Sequence, residues 1–442
     1  MNRRDFLKLS MYAGCSCLIP SYSRAAGPLD NVTFNSARYN ANRPQTIMVF
    51  LYGGASELAG NFTNYDGFKN LSQSSYETHF GNSLNATANG FWAEAGGIYM
   101  EELLAAQKLN VFRTCFSQVR WDNDNRSHGP CVAQNQRGSF NEDSSGIFAN
   151  LAHVLKTYGH IDENTKLPFL TMDGDSGFYA TGNLPRDPIL SPVSINEDLD
   201  NPEHPDNPFH RNYDPGFATE MNLLAQQINP PGKIRDAFEK RAEMDAFIES
   251  IKTLPDPNSN LTEAYKYEDN SFAKKLKTAI KILDFNQDTQ VVTLSTSGLG
   301  GWDDHNDASN YLSRMKQLFR GLKSAMAHID LITDSNRRER INIMVMGDFG
   351  RGVNLNSANG WDHGNLQTAY VLGGSAYFHT PGIVGETVIE DLGSVNRLYL
   401  RPHESSYWFE PLSMASSIYS IYGITNPEIL TDGIPVIAPL AG

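Results

Sequence analysis

The sequence predicts an α/β fold with a mostly parallel central sheet flanked by helices. Three observations carry this. Short apolar runs at 46–52, 291–294 and 341–346 have the length and composition of strands buried on both faces. Each run stops at a turn rich in Gly, Ser or Asp: Gly53-Gly54, Ser297 to Gly301, and Gly347-Asp348. Strand-like and helix-like segments then alternate along the chain, the pattern of repeated strand–helix–strand units.

Taken in order, residues 46–52 open the fold as a first strand. Residues 60–98 are rich in Asn, Ser, Gly and Thr and form a long loop or insertion near the site. A helix at 100–106 leads to a second strand at 110–115. Residues 120–129 are polar and follow that strand. There Ser127-His128 supplies a nucleophile or a ligand, or lies on a plain surface loop. A helix at 147–158 precedes a third strand at 168–172, which ends at Asp173-Gly174-Asp175. Residues 183–216 hold many Pro, Asn and Asp residues without a period, a loop excursion. Apolar spacing predicts amphipathic helices at 232–254 and 272–283. A long helix at 312–332 leads into the 341–346 strand, a further strand follows at 368–372, and a last helix at 411–422. The expectation is one α/β domain over 27–442, with insertions around 60–98 and 183–285.

At 442 residues the chain has room for a large core, and 40% hydrophobic with 19% charged residues is a globular composition. The net charge of −14 argues against a nucleic-acid partner, which a basic face would announce. Asn2-Arg3-Arg4-Asp5-Phe6-Leu7-Lys8 resembles the twin-arginine export motif. A modest apolar run follows, and Ser23 and Ala25 frame a small-x-small cleavage pattern. Residues 1–26 are therefore expected to be a removed signal, with the twin-arginine translocase as a partner during export and a periplasmic or secreted location. The run is too short to span a bilayer. Lipidation at Cys15 is left open. Cys15 and Cys17 leave with the signal. Cys115 and Cys131 remain, able to pair in an oxidising compartment.

Two strand ends deliver acids with imidazoles. Trp302-Asp303-Asp304-His305 follows the 291–294 strand. Asp348 ends the 341–346 strand, and Trp361-Asp362-His363-Gly364 closes the loop after it. Carboxylate oxygen and imidazole nitrogen ligate zinc, manganese or iron, and carboxylates alone suit harder ions. Open α/β sheets gather ligand groups at the C-terminal ends of their strands. Either cluster alone fits an ordinary polar turn; both together, each after a strand, point to a metal-centred site.

The twin-arginine start, Val49 to Ala55, Gly301 to His305, Asp348-Phe349-Gly350-Arg351, Asp362-His363-Gly364 and Val371 to Gly374 together resemble an exported bacterial family, the domain-of-unknown-function 1501 family. That family is similar to the alkaline phosphatase and sulfatase superfamily. The resemblance implies an alkaline-phosphatase-like sheet and a metal-dependent hydrolase of phosphate or sulfate esters, small or on a polysaccharide. It implies that Asp303, His305 and His363 hold a divalent ion (zinc, manganese or calcium). Asp348 would face a second beside Ser127 as nucleophile, with Asp362 a further metal ligand and His128 and Arg351 further catalytic residues. Arg126 or Arg351 would clamp an oxyanion. Three departures thin the second ion's site: Ser56 where the family carries an acid, with Glu57 next; Asp348 for the family's Glu; and Phe349 where studied phosphatases have His. One ion is favoured over two. The departures also keep a second reading in view, a degenerate member that binds or assembles at the cell surface.

Overall fold

In the computed structural model of the chain, the described residues are 29–71, 75–173, 176–187, 189–199, 220, 223, 227, 246–378, 381–392 and 397–440. The expected signal at 1–26, with Cys15 and Cys17, lies outside them, as do Gly174 and Asp175. So does most of the expected helix at 232–254; its described part, 246–252, is helical. Residues 1–31 and 207–253 form one compact unit, and 32–206 with 254–442 another. The larger unit carries the sheet.

Ten strands are present among the described residues: β1 (Gln45–Leu51), β2 (Leu109–Phe116), β3 (Phe169–Thr171), β4 (Val193–Ser194), β5 (Val291–Ser295), β6 (Ile341–Gly347), β7 (Leu366–Gly373), β8 (Gly382–Val384), β9 (Thr387–Asp391) and β10 (Leu398–Pro402). The first eight form one sheet in the order β4-β3-β5-β1-β6-β7-β2-β8, and β9 and β10 form a separate antiparallel pair. The sheet is mostly parallel, as expected. β7 is the exception: it runs antiparallel to both its neighbours, β6 and β2. The apolar runs are strands for the reason given above. Every residue of β1, β5 and β6 is buried, so no polar–apolar alternation is needed.

The principal helices are α1 (Ile98–Ala105), α2 (His128–Arg137), α3 (Ile147–Thr157), α4 (Ser271–Phe285), α5 (Tyr311–Asp330) and α6 (Ser413–Ile421). Five of them match expected segments. The sixth, α2, starts at the end of the polar stretch at 120–129 and runs through residues given no element from the sequence. Gly129 and Pro130 masked its start, yet proline is tolerated in a first turn, where the missing N–H has no partner to lose. The 60–98 segment is not bare loop either. It contains short helical turns at Tyr65–Phe68 and Tyr76–Phe80, and it buries Phe62, Phe68, Tyr76 and Trp92 as one aromatic cluster. No helix of the described residues is long and apolar enough to cross a membrane.

Parallel β5, β1 and β6 end at the same edge, and β2, parallel to them through β7, ends there too. Antiparallel β7 starts at that edge. Five segments following or preceding these ends can therefore meet at one rim.

Within α5, buried His328 shares a hydrogen bond of 3.2 Å with the Tyr267 hydroxyl. Burial pushes its pKa down to about 4. The folded state thus holds a neutral imidazole that the unfolded chain protonates first. Its contribution is complete above about pH 6.5 and is lost as pH falls through 4, a term on the order of 3 kcal/mol. Denaturant unfolding of His328→Gln should lose less stability than the parent between pH 7 and 4. Parallel pH profiles would contradict this.

Candidate metal centre

The site begins with a turn. After β1, Gly53 and Gly54 have φ of 109° and 68°, a left-handed backbone that costs a side chain dearly. A Cβ on Gly53 would also lie 2.6 Å from the Asp303 main-chain nitrogen, and one on Gly54 2.5 Å from the Phe349 ring. The turn aims both amides at Asp348, whose carboxylate accepts from Gly53 N at 3.2 Å and Gly54 N at 3.1 Å. Asp348 is fully buried at the end of β6. Its other acceptor capacity goes to His128, with Nδ1 2.7 Å from Oδ2. That hydrogen bond raises the His128 pKa, against the opposing effect of burial.

His128 is the first residue of α2, and the helix is locked to the same strand end. Asn135 donates to the carbonyls of Gly347 and Asp348, at 2.7 and 2.9 Å. Buried Arg120 donates to the Asp348 carbonyl at 3.1 Å and to Asn135 at 2.6 Å. With Nδ1 occupied by Asp348, His128 turns Nε2 inward. That atom is buried without a hydrogen-bond partner and stands 3.6 Å from Asp303 Oδ1.

His363 has a matching arrangement. It donates to the Arg126 main-chain carbonyl while its Nε2 is buried and unpartnered, so the donor is Nδ1. Burial, helped by the Arg351 charge, pushes its pKa down to about 4, so it is neutral at pH 7. Its ring centroid is 4.5 Å from that of His128. Asp303 completes the group. Burial raises its pKa, but the Arg351 hydrogen bond and charge outweigh this and leave it below the usual carboxylate range. One ligand atom each of His128, Asp303 and His363 lies within 4.8 Å of the others. Two ligands about 2.1 Å from one ion stand no more than about 4.2 Å apart, so at most a small contraction closes the group on zinc.

The residues read from the sequence reach this rim in different roles. Asp303 and His363 belong to the three-ligand group. His305 lies at its outer side, its Nε2 3.9 Å from Asp303 Oδ1 and its Nδ1 3.7 Å from Asp362 Oδ1. Asp362 also accepts from Asn356 at 3.3 Å. Asp348 sits behind His128 with its oxygens already engaged. Arg351 is 1% exposed and spends its donors inside the protein: on Gly54 O at 2.7 Å, Trp361 O at 3.1 Å, Gly53 O, and Asp303 Oδ1 at 2.7 Å. It fixes Asp303 rather than facing solvent. Arg126 is likewise committed, to Tyr399 Oη at 2.8 Å and Asp124 at 2.7 Å. Ser127 is exposed at the N-cap of α2, and its side chain makes no capping bond.

Glu57 is buried and accepts from Arg351 N at 2.8 Å; burial pushes its pKa up to about 8. Phe349 packs its ring 4.5 Å from His363 and 4.8 Å from His128. Ser56 caps the Leu58 amide at 3.4 Å. Among the described residues, one metal-capable group of three or more is present. The ligand that sequence reasoning placed least firmly is His128. The N-cap Ser followed by a residue that opens a helix was the available signal.

Residues 211–392 match the family model described as protein of unknown function (DUF1501). The chain resembles the DUF1501 family. The DUF1501 span holds Asp303, His305, Asp348, Arg351, Asp362 and His363, while His128 precedes it. No curated protein matches the sequence. Among solved structures, a protein in the alkaline phosphatase superfamily from Vibrio parahaemolyticus aligns at 12% identity and a TM-score of 0.38, covering 97% of this chain and 78% of that one. Ps i-CgsB in complex with k-i-k-neocarrahexaose aligns at 10% and 0.39, covering 87% and 74%. The lipoteichoic acid synthase LtaP from Listeria monocytogenes aligns at 11% and 0.32, covering 91% and 81%. At these scores no residue role is transferred.

Replacing Asp348 by Asn leaves one amide oxygen where the carboxylate serves two main-chain amides and an imidazole. Asp348→Asn should cost about 1–3 kcal/mol in denaturant unfolding, through buried donors left unpaired. A stability equal to the parent's would contradict the role given to this carboxylate.

Proposed function

We propose that this chain is an exported, metal-dependent hydrolase of a phosphate or sulfate ester, with one divalent ion held by His128, Asp303 and His363. The observation that carries the reading is the pair of buried, unpartnered imidazole Nε2 atoms facing one carboxylate, each imidazole pinned through its other nitrogen. A histidine oriented this way by a carboxylate or carbonyl behind it is the usual support of a metal ligand. Two imidazoles and a carboxylate suit zinc or manganese better than calcium, which prefers an all-oxygen set, and three protein ligands leave a position open for substrate. A divalent ion bound there lowers the pKa of an adjacent hydroxyl and offsets charge on an ester oxygen.

The chain's own residues supply the rest. Ser127 presents a free hydroxyl beside His128 at the N-terminal end of a ten-residue helix, whose dipole favours an anion. It is the candidate nucleophile for the ester's phosphorus or sulfur. Arg351 holds Asp303 in place, and Asp348 holds His128 in the tautomer whose Nε2 accepts. His305, beside Asp362, is the candidate acid for the proton that the departing ester oxygen takes up. Export rests on the Arg3-Arg4 motif, and Arg3→Lys with Arg4→Lys should strand the precursor inside the cell.

A second reading keeps the fold, with or without the ion, but assigns a binding or assembly role at the cell surface. Phe349 and Ser56 favour it, because a phenyl ring cannot ligate an ion and a hydroxyl is a weaker ligand than the acid it replaces. Metal analysis and turnover of generic aryl phosphate and sulfate esters separate the two. The hydrolase reading expects near one equivalent of zinc or manganese, lost in His128→Ala and Asp303→Asn, with turnover falling at least about 100-fold. Ser127→Ala should abolish turnover while retaining the metal. Folded protein without stoichiometric metal and without turnover would remove this reading.

A further inference from the structure

Beside the metal centre, aromatic rings and guanidinium groups form a continuous cluster in which Phe116 and Tyr399 are buried and Trp408 reaches the surface. The Arg401 guanidinium lies 4.4 Å from the Trp121 ring centroid and 4.9 Å from that of Phe116. Arg126 lies 5.4 Å from Trp121 and 5.0 Å from Tyr399, which meets Trp121 edge-on at 5.9 Å. Phe116 in turn meets Trp408 edge-on at 6.1 Å, and Trp408 is 41% exposed. The cluster is joined to the site, because the Arg126 carbonyl is the acceptor for His363.

Among the described residues each arginine has one acidic partner. Arg401 Nη1 is 3.0 Å from Glu390 Oε2, and Arg126 Nη2 is 2.7 Å from Asp124 Oδ1. Among the described residues the Nε and Nη2 donors of Arg401 have no protein acceptor, although its side chain is 24% exposed. An exposed indole would stack on the apolar face of a sugar ring, as it does on other flat, partly apolar groups. A guanidinium with free donors pairs with sulfate, phosphate or carboxylate oxygens. In a chain of net charge −14, cations assembled on aromatic faces favour an anionic ligand that also has an apolar ring face.

We propose that Trp408, Trp121 and Arg401 form a subsite for an anionic polysaccharide, which delivers an ester on the same chain to the metal centre. The delivery rests on the hydrolase reading; the binding does not. Electrophoresis of the purified chain through native gels containing dextran sulfate, neutral dextran or poly-glutamate tests it. Dextran sulfate alone should retard the protein, and Trp408→Ala and Arg401→Gln should each weaken the retardation about fivefold to tenfold. Thermal melting checks that both variants fold, and Trp408→Phe, which keeps an aromatic face, should restore most of the retardation. Asp303→Asn should leave it intact. Retardation unchanged in both variants, or matched by neutral dextran or by poly-glutamate, overturns the subsite. Absence of aryl-ester turnover in the parent protein, with its retardation by dextran sulfate present, would overturn the hydrolase reading alone.

Discussion

The buried carboxylate of Asp348 is the point on which the site depends. It ends a strand whose every residue is buried, so it has no water to satisfy it. Two main-chain amides and one imidazole do so instead. They come from two distant parts of the chain. The amides belong to the turn after β1, which only glycine permits, and the imidazole opens α2. A single desolvated charge thereby ties β1, β6 and α2 into one arrangement, and the direction of His128 Nε2 follows from it.

A second constraint works from the opposite side. Arg351 is buried and carries a permanent charge, so its donors must find acceptors inside the protein. It finds them on the carbonyls of Gly53, Gly54 and Trp361 and on Asp303. This holds Asp303 toward the imidazoles and lowers its pKa despite burial. The same charge acts with burial to keep His363 neutral. A neutral imidazole and an ionised carboxylate are the protonation states a metal ligand needs. The site is therefore preorganised by groups that themselves contact no ion.

Much of the sheet was legible in the sequence because fully buried parallel strands read as unbroken apolar runs. Residues 46–52, 291–294 and 341–346 all correspond to strands, displaced by one residue or so at the ends. The meeting of Asp303, His305, Asp348 and His363 at one rim was also legible, since ligand groups collect where parallel strands end. The antiparallel course of β7 was not, because an apolar run has no direction written in it. The helix holding His128 was obscured by Gly129-Pro130, and its pairing with Asp348 joins residues 220 positions apart. Arg351 reads from sequence as a free cation in a glycine-rich loop. Only its burial shows that its donors are spent on main-chain carbonyls.

The central claim is that two imidazoles and one carboxylate, held from behind, surround a single ion. X-ray absorption at the zinc edge of the metal-loaded protein tests it directly. The account predicts two imidazole nitrogens at about 2.0–2.1 Å with oxygen filling the remaining positions, and loss of one imidazole in His128→Ala. A spectrum of oxygen ligands alone, or one unchanged by removal of His128, would contradict it.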